Sequence, residues 1–193
     1  MTSDHHTRLE EEIFRALNLD GGRALDALAV ALSSRWFGAV VGAAIVVAIL
    51  VASGTRRRAL LLAFATALAT SDFLGARILR PLFARMRPCF ALGEAVRWLA
   101  PASDVGSLPS LHAANFFAMG VVAWAADRRA GVAALAIAAA VALSRVYVGV
   151  HWPTDVLAGA AWGTLCAFAG LAVARAAVGR TSGARDGRRE ERG

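Results

Sequence analysis

Trp36 to Thr55 reads WFGAVVGAAIVVAILVASGT, an uncharged run bracketed by Arg35 and Arg56. Crossing the hydrocarbon core of a bilayer as a helix takes about 20 apolar residues, so this stretch predicts a transmembrane helix. Further apolar runs follow at about 59–79, 109–126, 130–149 and 153–176. Thr55-Arg56-Arg57-Arg58, Asp127-Arg128-Arg129 and Val150-His151-Trp152-Pro153 separate neighbouring runs, and a more polar segment at 80–108 carries Pro81, Pro88, Pro101 and Gly106 as breakers. The fold class that follows is all-α: a polytopic membrane helix bundle of about five transmembrane helices.

The composition agrees. Of 193 residues 58% are hydrophobic and only 18% charged, with a mean hydropathy of +0.54, whereas a soluble domain carries about 25% charged residues. The formal charge of +7 is all arginine, because the chain contains no lysine. These arginines sit at the ends of apolar runs or in the tail, which argues for lipid headgroups or phosphate and against nucleic acid. Cys89 and Cys166 have no metal-ligand spacing and are read as unpaired.

Residues 1–35 alternate polar and apolar, with Leu9, Ile13, Phe14 and Leu17 at helical spacing and Asp20-Gly21-Gly22 as a break. Glu10–Glu12 make this a poor span, so amphipathic helices lying at the membrane interface are expected, in place of a cleavable signal peptide. Residues 36–178 form the membrane domain, and the Gly-, Arg- and Glu-rich stretch 179–193 is expected to be a disordered cytoplasmic tail. Alternating five spans puts Arg56–Arg58, Arg128–Arg129 and the tail on one side, which the positive-inside rule makes cytoplasmic. The segment 80–112 and the turn at His151 then share the outer, periplasmic or extracellular, face of the cell membrane.

Three clusters meet on that face. They are Arg80-Pro-Leu-Phe-Ala-Arg-Met-Arg87-Pro88, Ser107-Leu-Pro109-Ser110-Leu111-His112, and Ser144-Arg145 followed by His151 and Asp155. Arginine presents a planar, permanently charged fork suited to phosphate oxygens, so Arg80, Arg87 and Arg145 predict an anion site. Pro109 is placed at the first helical position, where the backbone N–H groups after Ser110 add to a phosphate cradle. His151 and Asp155 are four residues apart, on one side of a helical turn. An aspartate bonded to one imidazole nitrogen fixes the tautomer and leaves the other nitrogen free to attack, with His112 as a general acid. Taken singly, each feature has a structural explanation: snorkelling arginines, a helix cap, a structural histidine. Their joint occurrence favours chemistry. Asp72, inside the second run, is expected to pair with Arg77 or Arg145.

Together the clusters resemble the three-part signature of the type 2 phosphatidic acid phosphatase superfamily, whose soluble relatives include vanadium haloperoxidases. That signature, K-x6-R-P, P-S-G-H and S-R-x5-H-x3-D, appears here as Arg80-x6-Arg87-Pro88, Pro109-Ser110-Leu111-His112 and Ser144-Arg145-x5-His151-x3-Asp155. Arg80 keeps the charge of the usual lysine. Leu111 replaces the usual glycine and narrows the pocket, while its backbone N–H remains available. The resemblance implies that His151 is the nucleophile of a phosphohistidine intermediate, oriented by Asp155, with His112 protonating the leaving group. It implies that Arg80, Arg87, Ser110, Leu111 and Arg145 hold the phosphate, with no metal or other cofactor. The implied substrate is a lipid phosphate or diphosphate, undecaprenyl diphosphate first, with phosphatidylglycerol phosphate and phosphatidic acid as competitors. A phosphotransferase of the same fold and a non-catalytic protein that binds anionic lipids are the rival readings.

Overall fold

The computed structural model describes residues 6–190. Nine helices are present among them: α1 (Arg8–Leu17), α2 (Gly22–Leu32), α3 (Arg35–Ala52), α4 (Arg57–Leu74), the short α5 (Arg80–Phe83) and α6 (Pro88–Ala91), α7 (Leu111–Ala126), α8 (Arg128–Tyr147) and α9 (Pro153–Glu190). The described residues contain no strand, only an isolated bridge between Met86 and Val105. An all-α membrane bundle is the observed class. Side-chain caps fix several helix starts: Thr7 accepts from the Glu10 N–H, Ser34 from Phe37 and Asp127 from Ala130.

Four stretches are long and apolar enough to cross a membrane: Arg35–Ala52, Arg57–Phe83, Arg128–Tyr147 and Pro153–Val178. The fifth expected span, α7, is apolar but has only 16 residues, about 24 Å at 1.5 Å per residue. It is shorter than expected because the run from residue 109 begins in a non-helical approach. Helix α7 is the central element, packed on α8, α9, α4 and α3. Helix α9 stays helical to Glu190, where a disordered tail was expected. Residues 191–193, and His5 in the opposite terminus, lie outside the described residues.

Lipid tails are as apolar as leucine, so close packing rather than expulsion from water holds such helices together. Helix α9 achieves it with small residues. A Cβ at Gly159 would stand 2.3 Å from the Ser110 carbonyl oxygen, and one at Gly163 would stand 1.8 Å from that of Ala114. The start of α7, which carries His112, therefore touches the second and third turns of α9 backbone to backbone.

Helix α1 lies over the same end of the bundle. Phe14 is buried in a cluster with Val146, Trp152 and Val156. At its C-terminus the Asn18 side chain donates to the carbonyls of Arg97 and Tyr147, at 2.9 and 2.7 Å, and accepts from the Arg97 N–H at 2.9 Å. Leu9 and Ile13 face outward, as do Leu25, Leu28 and Val30 of α2.

Candidate active site

Helix α4 runs into a π-helical turn, Gly75–Leu79, before α5; such bulges re-aim the residues that follow and recur at functional sites. Arg80 follows directly, half-buried, with Nε donating to the Pro109 carbonyl at 3.4 Å. Ala84 takes a left-handed conformation (φ 42°) and ends α5. The chain beyond it pairs with 104–107. The Arg87 N–H donates to the Asp104 carbonyl at 3.1 Å, and that of Ser107 donates to the Arg85 carbonyl at 3.0 Å. Residues two apart on an extended segment share a face, so Arg85 and Arg87 enter the interior together, each about 5–6% exposed.

His151 lies in the turn between α8 and α9 and is 1% exposed. Its Nε2 stands 3.0 Å from Arg87 Nη1, and its Nδ1 is 3.4 Å from Asp155 Oδ2. A guanidinium only donates, so Nε2 carries the lone pair and Nδ1 carries the proton, aimed at Asp155. That is the tautomer a histidine nucleophile requires. Burial pushes the His151 pKa down to about 3; Asp155 opposes that, and Arg87 and Arg145 add to it. The imidazole is therefore neutral across the physiological range.

The surroundings are cationic and under-satisfied. Arg87 donates to the carbonyls of Val150 (2.9 Å) and Gly106 (3.3 Å), and Arg145 to that of Ser33 (3.1 Å). Among the described residues, no carboxylate lies within ion-pairing distance of either. Arg87 Nε, Arg145 Nε and Ser110 Oγ are buried with no hydrogen-bond partner. Each buried unsatisfied donor costs about 1–3 kcal/mol, and those of Arg87 and Arg145, which line one cavity with His151, suit an anion. Ser110 occupies the N-cap position of α7, but its hydroxyl makes no capping bond, so the cap explanation fails for it. The helix begins at Leu111, which places Pro109 before the cap and not at the first helical position. The Ser110 N–H is taken by the Asp155 carbonyl at 3.0 Å.

Arg80, Arg87, His112, Arg145 and His151 line one cavity of about 760 Å³. Away from the cations it continues as an apolar channel past Gly38, Gly42 and Val46 of α3, Phe64 and Leu68 of α4, and Met119 of α7. Leu111 also lines it, but its side chain turns toward α4, where a Cβ on Gly75 would stand 2.4 Å from Leu111 Cδ2. The bulk added at 111 is thus housed by the side chain missing at 75. Asp72 departs from expectation. It accepts from Asn115 Nδ2 at 3.2 Å, while Arg77 stacks over Phe73 and Arg145 is held by Ser33. Asp72 faces the cavity wall formed by α7, so Asn115 is its neighbour and neither arginine is.

Sequence reasoning missed Arg85 and Glu10. Arg85 Nη1 pairs with Asp155 Oδ1 at 2.7 Å, and Nη2 pairs with Glu10 Oε2 at 2.6 Å. Asp155 Oδ2 further accepts from the Trp152 N–H at 2.8 Å and from the Ser107 hydroxyl. Two signals were present: the Arg-x-Arg spacing of 85 and 87, and the placing of Glu10 four residues before Phe14, on the inward face of α1.

With the three motifs drawn to one histidine, residues 59–178 match the PAP2 superfamily. The chain belongs to the PAP2 superfamily. The matched PAP2 region runs from α4 into α9 and contains every motif residue named above. A bacitracin transport permease protein BcrC of Bacillus licheniformis is 32% identical over 114 residues, 59% of this chain and 55% of the relative. The match thus spans about half of that relative's length. Among solved structures, the fold is similar to that of Aquifex aeolicus LpxE, with a TM-score of 0.70 at 24% identity, over 89% of this chain and 99% of that one. It is also similar to a transmembrane PAP2-type phosphatidylglycerolphosphate phosphatase of Bacillus subtilis, with a TM-score of 0.63 at 24% identity over 86% of each chain. With four helices long and apolar enough to cross a membrane, this PAP2 chain is a multi-pass membrane protein.

Proposed function

We propose that this PAP2 protein is a metal-independent lipid phosphatase in which His151 Nε2 attacks phosphorus. A buried histidine whose Nε2 lone pair is turned toward Arg87, in one cavity with Arg80 and Arg145 and with donors on Arg87 and Arg145 left without partners, carries the reading. Arg80, Arg87, Arg145 and Ser110 hold the phosphate oxygens and offset the charge that builds on them in the transition state. As the P–O bond to the lipid breaks, His112 gives the leaving oxygen a proton. Asp155 meanwhile balances the charge gained by the phosphorylated imidazole. Water, giving a proton to His112, then attacks phosphorus and breaks the P–N bond, releasing inorganic phosphate and restoring both histidines.

The apolar channel running from the cations between α3, α4 and α7 suits a lipid tail. Arginine asymmetry favours a site on the periplasmic side of the cell membrane, with α1 and α2 at the interface. Undecaprenyl diphosphate is the substrate we favour, in keeping with the chain's length and its N-terminal helices. Phosphatidylglycerol phosphate is the second reading, favoured by the named activity of the Bacillus subtilis neighbour. Phosphate release by detergent-purified protein on both lipids and on phosphatidic acid, with EDTA present and His151→Ala alongside, tests this. Release that resists EDTA and vanishes in the variant supports the reading; release that survives in His151→Ala removes it.

A further inference from the structure

Helix α1 reaches the nucleophile through a chain of buried charges. Glu10 and Arg85 side chains are each 7% exposed, and Asp155 is 0% exposed. The guanidinium fork of Arg85 binds one carboxylate on each arm, 2.6 Å to Glu10 Oε2 and 2.7 Å to Asp155 Oδ1. Arg85 Nη1 also donates to Thr154 Oγ1 at 2.7 Å. Glu10 Oε1 in turn accepts from the Thr154 N–H at 3.2 Å and from its hydroxyl. The Arg85 guanidinium lies 5.6 Å from the centre of the Trp152 ring, the residue next to His151.

We propose that Glu10 is a positioning residue for the nucleophile, acting on Asp155 and through it on His151 by way of Arg85. The proposal rests on the reading of His151 as nucleophile. Its geometry is a division of labour between the two oxygens of Asp155. Oδ1 is held by Arg85, so Oδ2 is left facing His151 Nδ1, the Trp152 N–H and the Ser107 hydroxyl. Arg85 sets that plane best when its own fork is fixed, and Glu10 holds Nη2 while Thr154 holds Nη1.

Charge gives the second reason. Arg85 with Asp155 alone is a neutral pair, whose cation draws electron density away from the oxygens facing His151. Adding Glu10 brings a second carboxylate to Arg85 and weakens its pull on Asp155. Asp155 then remains a strong acceptor for the Nδ1 proton, which makes Nε2 the better nucleophile. A mere anchor for α1 would not need this, since burying ions is expensive and an apolar side chain holds a helix at lower cost. Phe14, one turn further on, is such an anchor.

The test is Glu10→Gln, nearly isosteric and able to keep its bonds to Thr154 while losing the charge. On the most active lipid of the panel, kcat should fall about 10–100-fold, the range for loss of an outer-shell support. KM and the inhibition constant for inorganic phosphate should stay within about twofold of wild type, because the phosphate-binding arginines are untouched. In an Arg85→Gln background the same change should add nothing further to the loss of kcat. Wild-type kcat in Glu10→Gln overturns the proposal. So does a fall in kcat matched by an equal loss in phosphate binding, which marks a structural anchor. An undiminished Glu10 effect in the Arg85→Gln background overturns the route through Arg85. A His151→Ala protein that still turns over removes the underlying reading instead, so the two failures are distinguishable.

Discussion

Replacing Gly159 with alanine should separate catalysis from stability, because this glycine sets how closely the start of α7 approaches the second turn of α9. The new methyl would stand 2.3 Å from the Ser110 carbonyl oxygen, against an ordinary carbon–oxygen contact of about 3.3 Å. The obstacle is backbone and cannot swing aside, so the start of α7 must retreat by about 1 Å, the difference between those distances. Overpacking of this kind costs about 1–3 kcal/mol, and alanine returns about 1 kcal/mol in helix propensity. Net stability should therefore fall by no more than about 2 kcal/mol. The rate should suffer more, since Ser110 and His112 move with α7 while His151 and Asp155 do not. A displacement of about 1 Å in a reacting constellation can cost about 100-fold. Gly170→Ala is the control. Its methyl would meet the Ala63 carbonyl at 2.6 Å, but about 22 Å further along α9 than Asp155. Phosphate release and thermal melts in detergent, run on both variants, decide the matter. Equal losses of activity in the two, or full activity in Gly159→Ala, would refute the reasoning.

Gly75→Ala should force the Leu111 side chain into the cavity and raise KM by about tenfold, the scale of one misplaced methylene or more in a binding pocket. Gly75→Ala with Leu111→Ala should restore it, and steady-state kinetics that show no change in the single variant would refute the pairing. His151 also predicts how stability depends on pH. Its folded pKa is depressed to about 3, whereas the unfolded chain takes up the proton near pH 6.5. The contribution is full above about pH 6.5 and is lost as pH falls toward 3, at up to about 1.4 kcal/mol per unit. Detergent melts between pH 7 and 4 should therefore fall more steeply for wild type than for His151→Asn; parallel slopes would contradict the burial of a neutral imidazole.

Much of this was legible in the sequence, for identifiable reasons. Apolar runs of spanning length mark α3, α4, α8 and α9 because a lipid environment leaves few other solutions. Arg80, Arg87, Arg145, His112 and His151 could be assembled in advance because alternating spans return them to one face. The role of Glu10 was hidden: in an amphipathic pattern an acidic residue reads as solvated, and only its pairing with Arg85, 75 positions away, reverses that. Leu111 read as a narrowing of the pocket, since nothing local reveals that Gly75 makes room for its side chain. Asp72 was matched to the nearest cations in sequence, whereas packing gave it the amide of Asn115.

The central claim is the covalent one. Wild-type protein given a lipid substrate labelled with radioactive phosphorus, then quenched in alkali within the first turnover, should carry a label that survives base and is lost in acid. That label should map to the peptide containing His151 and be absent from His151→Ala. Turnover without a labelled protein, or a label on any other residue, would contradict the account.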